Sequence, residues 1–227
     1  MTEFVFILDR SGSMSGLEND TIGGFNSMLL KQREEPGGCR ITTVLFDDRC
    51  EILHDRIDIG AVGEITSREY FVRGSTALLD AVGKTISKIG GVQKNTAEEY
   101  RAEKVLFVIT TDGYENASRE FSYCKVKSMI ENRKKRYGWE FIFLGANIDA
   151  AEAAGRFGIA RNRAQNYCND GDGIALNFRV VGETLTKYRA TRAFTKIGDD
   201  WNAEIERDYK ERGVQQSKRQ SVEPPKR

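Results

Sequence analysis

The residues with the clearest chemical potential lie in three short segments. Leu8-Asp9-Arg10-Ser11-Gly12-Ser13-Met14-Ser15-Gly16 offers one carboxylate and two hydroxyls at alternate positions, Asp9, Ser11 and Ser13. Gly12 and Gly16 let the backbone turn so that all three face a common point. Gly74-Ser75-Thr76-Ala77-Leu78 adds a hydroxyl at Thr76, and Thr110-Thr111-Asp112-Gly113 adds a second carboxylate at Asp112. These are hard oxygen donors with no histidine or cysteine among them, a set that suits Mg²⁺, Mn²⁺ or Ca²⁺ rather than zinc or copper. Two carboxylates leave coordination positions to water, and a carboxylate from a partner protein can take one of them.

Each segment alone has a plainer reading. Serines and Asp9 cap helices and close turns, Thr76 can be an N-cap, and Asp-Gly is a common turn dipeptide. Their conjunction carries the metal reading, provided the fold brings the three loops together.

The elements that must do so follow from hydrophobic patterning. Continuous apolar runs at Phe4 to Leu8, Ile41 to Phe46, Val105 to Ile109 and Phe141 to Leu144 read as strands buried on both faces. Amphipathic stretches at Leu17 to Arg33, Thr76 to Ile89, Ser118 to Arg136 and Ile174 to Ala193 read as helices. Their alternation predicts a doubly wound α/β fold, a mostly parallel central sheet with helices on both faces. Ile41 to Phe46 and Glu51 to Arg56 are separated only by a turn around Asp47-Asp48-Arg49, too short for a helical crossover, which predicts one antiparallel edge strand. All three oxygen-rich segments then fall in loops at the carboxyl ends of strands or ahead of helices, where open parallel sheets collect ligands. Asn147 and Asp149, in a fourth such loop, either line the rim or cap the next helix. Gly23-Gly24 in the first helix marks a close approach or a bend.

The three segments resemble the metal-ion-dependent adhesion site of the von Willebrand factor A domain family. Asp9-Arg10-Ser11-Gly12-Ser13 matches its D-x-S-x-S element, Thr76 its single threonine and Asp112 its second aspartate. The resemblance covers roughly Met1 to Ala193 and implies a Rossmann-like fold in which the serines and threonine contact the metal while the aspartates act partly through water. It also implies an intracellular, stand-alone member of bacterial or phage type, working as an adaptor or scaffold that binds an acidic group of a protein partner, in some relatives within AAA+ ATPase complexes. Arg10 stands where the family varies and receives no role.

Domain limits expected on this basis are residues 1–195 for the von Willebrand factor A domain, 196–212 for a helical C-terminal extension and 213–227 for a flexible basic tail. Lysine and arginine number 35 against 34 aspartate and glutamate, so no global field favours nucleic acid or an acidic membrane. The basic run Arg133 to Arg136 complements the end of a helix dipole, and a nucleic-acid role through it and the tail is a minor alternative. Nothing reads as a leader or as the roughly 20 apolar residues of a membrane span, which points to the cytoplasm. The four cysteines show no metal spacing, and Cys39 and Cys50 should lie most of a strand apart, so reduced thiols are expected. His54 is assigned no chemistry.

An enzyme is the main competing class. A strand-end aspartate beside Mg²⁺ is the nucleophile of haloacid-dehalogenase-type phosphohydrolases, but those need a second aspartate two positions on, and Ser11 stands there. No serine-hydrolase elbow and no P-loop occur. The expectation is a non-catalytic module.

Overall fold

The computed structural model describes residues 1–193 and 195–213. Its central sheet has six strands: β1 (Thr2–Asp9), β2 (Cys39–Phe46), β3 (Cys50–Asp58), β4 (Lys104–Thr111), β5 (Glu140–Gly145) and β6 (Ala164–Asn166). They lie in the order β3-β2-β1-β4-β5-β6, with every pairing parallel except β2 with β3. The apolar strands therefore form the expected mostly parallel sheet, and the short turn after Phe46 produces the expected antiparallel edge.

Strand alternation divides the interior into two layers. Phe4, Phe6 and Leu8 of β1 face helices α1 (Glu18–Glu34) and α5 (Gly171–Ala190). Val5 and Ile7 face α2 (Leu78–Asn95), α3 (Tyr123–Tyr137) and α4 (Ala150–Arg156). Because both faces of β1, β2, β4 and β5 are covered, each reads as a mainly apolar run, broken in β2 by the buried Thr42 and Thr43. β6 has only three residues, Ala164-Gln165-Asn166, and no such run, so patterning does not reveal it.

Helix starts depart from the expected positions for identifiable reasons. The second helix begins at Leu78 rather than Thr76, because the backbone of Thr76 is engaged elsewhere: its N–H donates to Asn116 Oδ1 and its carbonyl accepts from Asn116 and Ala117. The third begins at Tyr123, capped by Ser122, rather than at Ser118. The intervening N–H groups of Arg119, Glu120 and Phe121 all donate to the carboxylate of Asp80. The fifth runs Gly171–Ala190 with Asp170 as N-cap; at its far end Lys104 Nζ donates to the carbonyls of Tyr188, Arg189 and Thr191.

Beyond α5, Ile197, Trp201 and Ile205 are buried in the same layer as Phe4 and Phe6, with Ile205 on the short helix α6 (Ala203–Asp208). The Trp201 indole N–H donates to the Asn162 carbonyl at 2.8 Å. The expected extension at 196–212 thus contributes to the core of the described chain. The expected tail, residues 213–227, lies outside the described residues apart from the backbone of Gly213.

The two glycines of α1 have different roles. A Cβ on Gly24 would approach the Phe178 ring of α5 to 2.5 Å, whereas one on Gly23 would meet nothing within 4 Å. Close packing therefore accounts for Gly24. Gly23→Ala is expected to raise stability by roughly 0.5–1 kcal/mol through helix propensity. Gly24→Ala is expected to lower it by about 1–3 kcal/mol through overpacking, and urea unfolding of the two variants checks the opposite signs.

Candidate metal site at the carboxyl end of the sheet

The strand order reverses at β1, whose neighbours β2 and β4 lead away on opposite sides, the switch point at which open α/β sheets place their ligand crevice. Asp9 is the last residue of β1, and Asp112 follows the last residue of β4. The chain after Asp9 turns through a 3-10 segment, Gly12–Met14, before α1 begins. The loop ahead of α2 is tied onto it by Gly12 N–H donating to the Gly74 carbonyl at 3.1 Å and Arg73 N–H to the Arg10 carbonyl at 2.9 Å.

All five residues named from the sequence meet there. Thr76 Oγ1 donates to Ser11 Oγ at 3.1 Å, Ser11 Oγ lies 3.1 Å from Ser13 Oγ, and Ser13 Oγ makes a short hydrogen bond to Asp112 Oδ1. The result is an arc of four oxygens from three loops. Gly113 lies against it, since a Cβ there would sit 3.7 Å from Ser13 Oγ and 3.8 Å from Thr76 Oγ1. The fifth residue, Asp9, lies behind the arc, with Oδ1 accepting from Ser11 N–H at 2.7 Å and Oδ2 from Thr111 Oγ1 at 2.6 Å.

The donor set fits a divalent cation. Oxygens at adjacent corners of an octahedron with metal bonds of 2.0–2.1 Å are about 3 Å apart, close to the hydroxyl spacings along the arc. Ser11, Ser13, Thr76 and Asp112 are the residues that would hold the ion directly, with Asp9 orienting Ser11 and adding its charge from behind. The electrostatics agree. Burial pushes the Asp9 carboxyl up to about 6, against the opposing effect of its hydrogen bonds from Thr111 and Ser11, and burial likewise raises Asp112. Two buried carboxyls that resist ionising are stabilised by a nearby positive charge.

Several residues of the site escaped sequence reading. Arg10 is fully buried; its Nε donates to Asp47 Oδ2 at 2.9 Å and its Nη2 to Glu51 Oε2 at 2.7 Å. Arg73 Nε reaches the same Asp47 oxygen at 2.7 Å, and both guanidinium groups lie over the Phe71 ring. Burial works to raise the Asp47 carboxyl, but hydrogen bonding with Arg73, the Arg49 N–H, Asp48 and Arg10 holds it below the ordinary carboxylate range. Tyr70 donates its hydroxyl to the Asp9 carbonyl, and Asn169 donates to Asp112 Oδ2 at 3.4 Å. The sole signal for Arg10 was a charge wedged between Asp9 and Ser11, a position that calls for a counterion without saying which. Asp149 caps α4 by accepting from Glu152 N–H, settling that alternative for capping. His54 pairs through Nδ1 with Thr43 Oγ1. Among the described residues all four cysteines are free, with Cys39 pushed up to about 12 and Cys50 and Cys168 to about 11 by burial. Arg133 lies over the rings of Tyr137 and Trp139, while Lys134, Lys135 and Arg136 form the exposed last turn of α3.

No protein-family model matches the sequence, and no curated protein matches it. Solved structures do match. Proximal thread matrix protein 1 from the mussel byssus superposes with a TM-score of 0.55 at 15% identity, over 82% of this chain and 46% of that one. A von Willebrand factor type A protein from Catenulispora acidiphila gives 0.54 at 13%, over 82% and 42%. The pilus adhesin SpaC from Lactobacillus rhamnosus GG gives 0.60 at 10%, over 82% and 30%. The fold of this chain is the von Willebrand factor A-type fold. The chain spans less than half the length of each of these structures, and at such identities the likeness is one of fold.

Two predictions follow from the buried charges. Asp9 has a folded-state value above its unfolded one, so its contribution to stability is fully present below about pH 3.8 and is lost as pH rises through about 6. In chelator, the wild type should lose about 2 kcal/mol relative to Asp9→Asn between pH 4 and pH 7, and excess Mg²⁺ should narrow the gap; urea unfolding across pH checks this. Arg10→Met leaves buried Asp47 without one of its cations and should cost about 3 kcal/mol, read from the same unfolding curves at pH 7.

Proposed function

We propose that this chain is a non-catalytic, metal-dependent protein-binding module, an adaptor or scaffold in which a divalent cation held by Ser11, Ser13, Thr76 and Asp112, with Asp9 behind them, is completed by an acidic group of a partner protein. The observation that carries the reading is the arc of four oxygens at the sheet's switch point, assembled from three loops and backed by a buried carboxylate. Such a site has hydroxyls and one carboxylate on its protein side, so a bound divalent cation keeps positive charge and exchangeable positions facing outward. A carboxylate is the group that both properties select. One of the matching mussel structures is described as having a zinc-occupied MIDAS motif, which supports divalent-cation chemistry on this fold.

Mg²⁺ is the proposed resident ion, with Mn²⁺ next, because the hydroxyl spacings match a small octahedral ion better than the longer bonds of Ca²⁺. The geometry around Asp9 supports the non-catalytic reading over phosphohydrolysis. Both of its oxygens already accept hydrogen bonds and its side chain is buried, whereas a phosphoryl nucleophile needs an oxygen free to attack. Among the described residues no helix is long and apolar enough to cross a membrane. The proposed setting is the cytoplasm, where the partner is a protein with an exposed acidic side chain, within an AAA+ ATPase complex on the family analogy.

Calorimetric titration of chelator-stripped protein tests the reading. Saturable binding of Mg²⁺ and Mn²⁺, weaker for Ca²⁺ and abolished in a folded Ser11→Ala, Asp112→Ala variant, is the expected result. Equal binding by wild type and variant would reject the assigned ligands.

A further inference from the structure

The loop between β6 and α5 approaches the metal site from a side that the three sequence segments do not cover, and it is held firmly. Tyr167, a buried residue, donates its backbone N–H to the Gly145 carbonyl at 3.1 Å. Asp170 caps α5 by accepting from Gly173 N–H at 2.8 Å and receives Arg212 Nη1 from the C-terminal extension at 2.8 Å. The loop also lies so close to the start of α5 that a Cβ on Gly173 would fall 2.0 Å from the Cys168 carbonyl oxygen. Asn169 sits between these anchors with its amide against Asp112.

The orientation of that amide is chemically fixed. Its Nδ2 donates to Asp112 Oδ2, and the reversed amide would set oxygen against oxygen. Oδ1, the other end of the amide that contacts Asp112, is buried and has no hydrogen-bond partner among the described residues. Native proteins rarely leave a buried amide oxygen without a donor, and such an oxygen next to a cation site matches the water that a hydrated Mg²⁺ retains. On the other side, Asp112 has Oδ1 engaged by Ser13 and Oδ2 by Asn169, so the pair sets the carboxylate's rotation.

We propose that Asn169 is a further residue of the cation site, resting on the metal reading given above. Its N–H positions Asp112, and its carbonyl oxygen accepts a hydrogen bond from a water on the bound ion. Outer-shell partners of this kind contribute about 10–100-fold to metal affinity.

The test uses the full chain, with Mg²⁺ titrated by calorimetry and thermal unfolding measured in chelator, for wild type, Asn169→Ala and Asn169→Asp. Asn169→Ala should bind Mg²⁺ about tenfold more weakly with unchanged unfolding in chelator, because it removes a weak bond together with an unsatisfied oxygen. Asn169→Asp keeps acceptor oxygens but sets a like charge beside Asp112. It should unfold at lower temperature in chelator, bind Mg²⁺ at least as tightly as wild type, and gain more from added Mg²⁺. Wild-type affinity in a folded Asn169→Ala variant would overturn the role of Asn169 while leaving the metal site standing. A wild type that binds neither Mg²⁺ nor Mn²⁺ would overturn the metal reading and this inference together.

Discussion

A carboxylate and a guanidinium, Asp9 and Arg10, stand side by side at the end of the central strand, and both are buried. Neither can be left unpaired in that position; Ser11 N–H satisfies one oxygen of Asp9, and the other partners of both side chains lie far along the chain. Arg10 reaches Asp47 and Glu51, which commits the β2–β3 hairpin to its place. Asp9 takes its hydrogen bond from Thr111, which brings the end of β4 level with the end of β1. The two demands point to opposite sides of β1 and so build the switch point. Apolar packing makes the layers, but these polar requirements align the loop ends to within a hydrogen bond.

Cationic side chains fasten the remaining elements in a similar way. Lys104, at the start of β4, gathers three carbonyls at the end of α5. Arg163 joins Glu140 of β5 to Asp199 and the Ile197 carbonyl of the extension. Arg212 joins the extension to the loop that carries Asn169. Each uses the several donors of a lysine or arginine to satisfy groups from different parts of the chain, which suits a small sheet whose last strand has only three residues. Through Arg212 the packing of the C-terminal extension is physically continuous with the neighbourhood of Asp112.

Most of the sheet and the grouping of the five oxygen-bearing residues were legible in the sequence because their signals are local. Phe4 to Leu8 is an apolar run whatever lies elsewhere, and Asp9, Ser11 and Ser13 carry their spacing with them. What was not legible depends on distant chain. Thr76 looks like a helix cap until Asn116 is seen to hold its backbone outside the helix, and Ser118 looks like a helix start until Asp80 is seen to take the next three N–H groups. Arg10 and Asn169 show the same limit at the site itself. Each is ordinary in its own segment and acquires a role only through a partner tens of residues away.

The position of β1 has a consequence for biosynthesis. Its two neighbours are made at very different times, since β2 begins at Cys39 and β4 only at Lys104. A nascent chain that has completed β3 can pair β1 on one side, yet its other edge stays open until the ribosome has added some 50 more residues, several seconds at ordinary elongation rates. That edge belongs to an apolar strand, and an unpaired edge of that kind recruits other strands. During this interval the protection of the most buried strand in the finished molecule depends on transient cover, by helix α1 already made or by a chaperone, and slow translation between β3 and β4 would prolong the exposure.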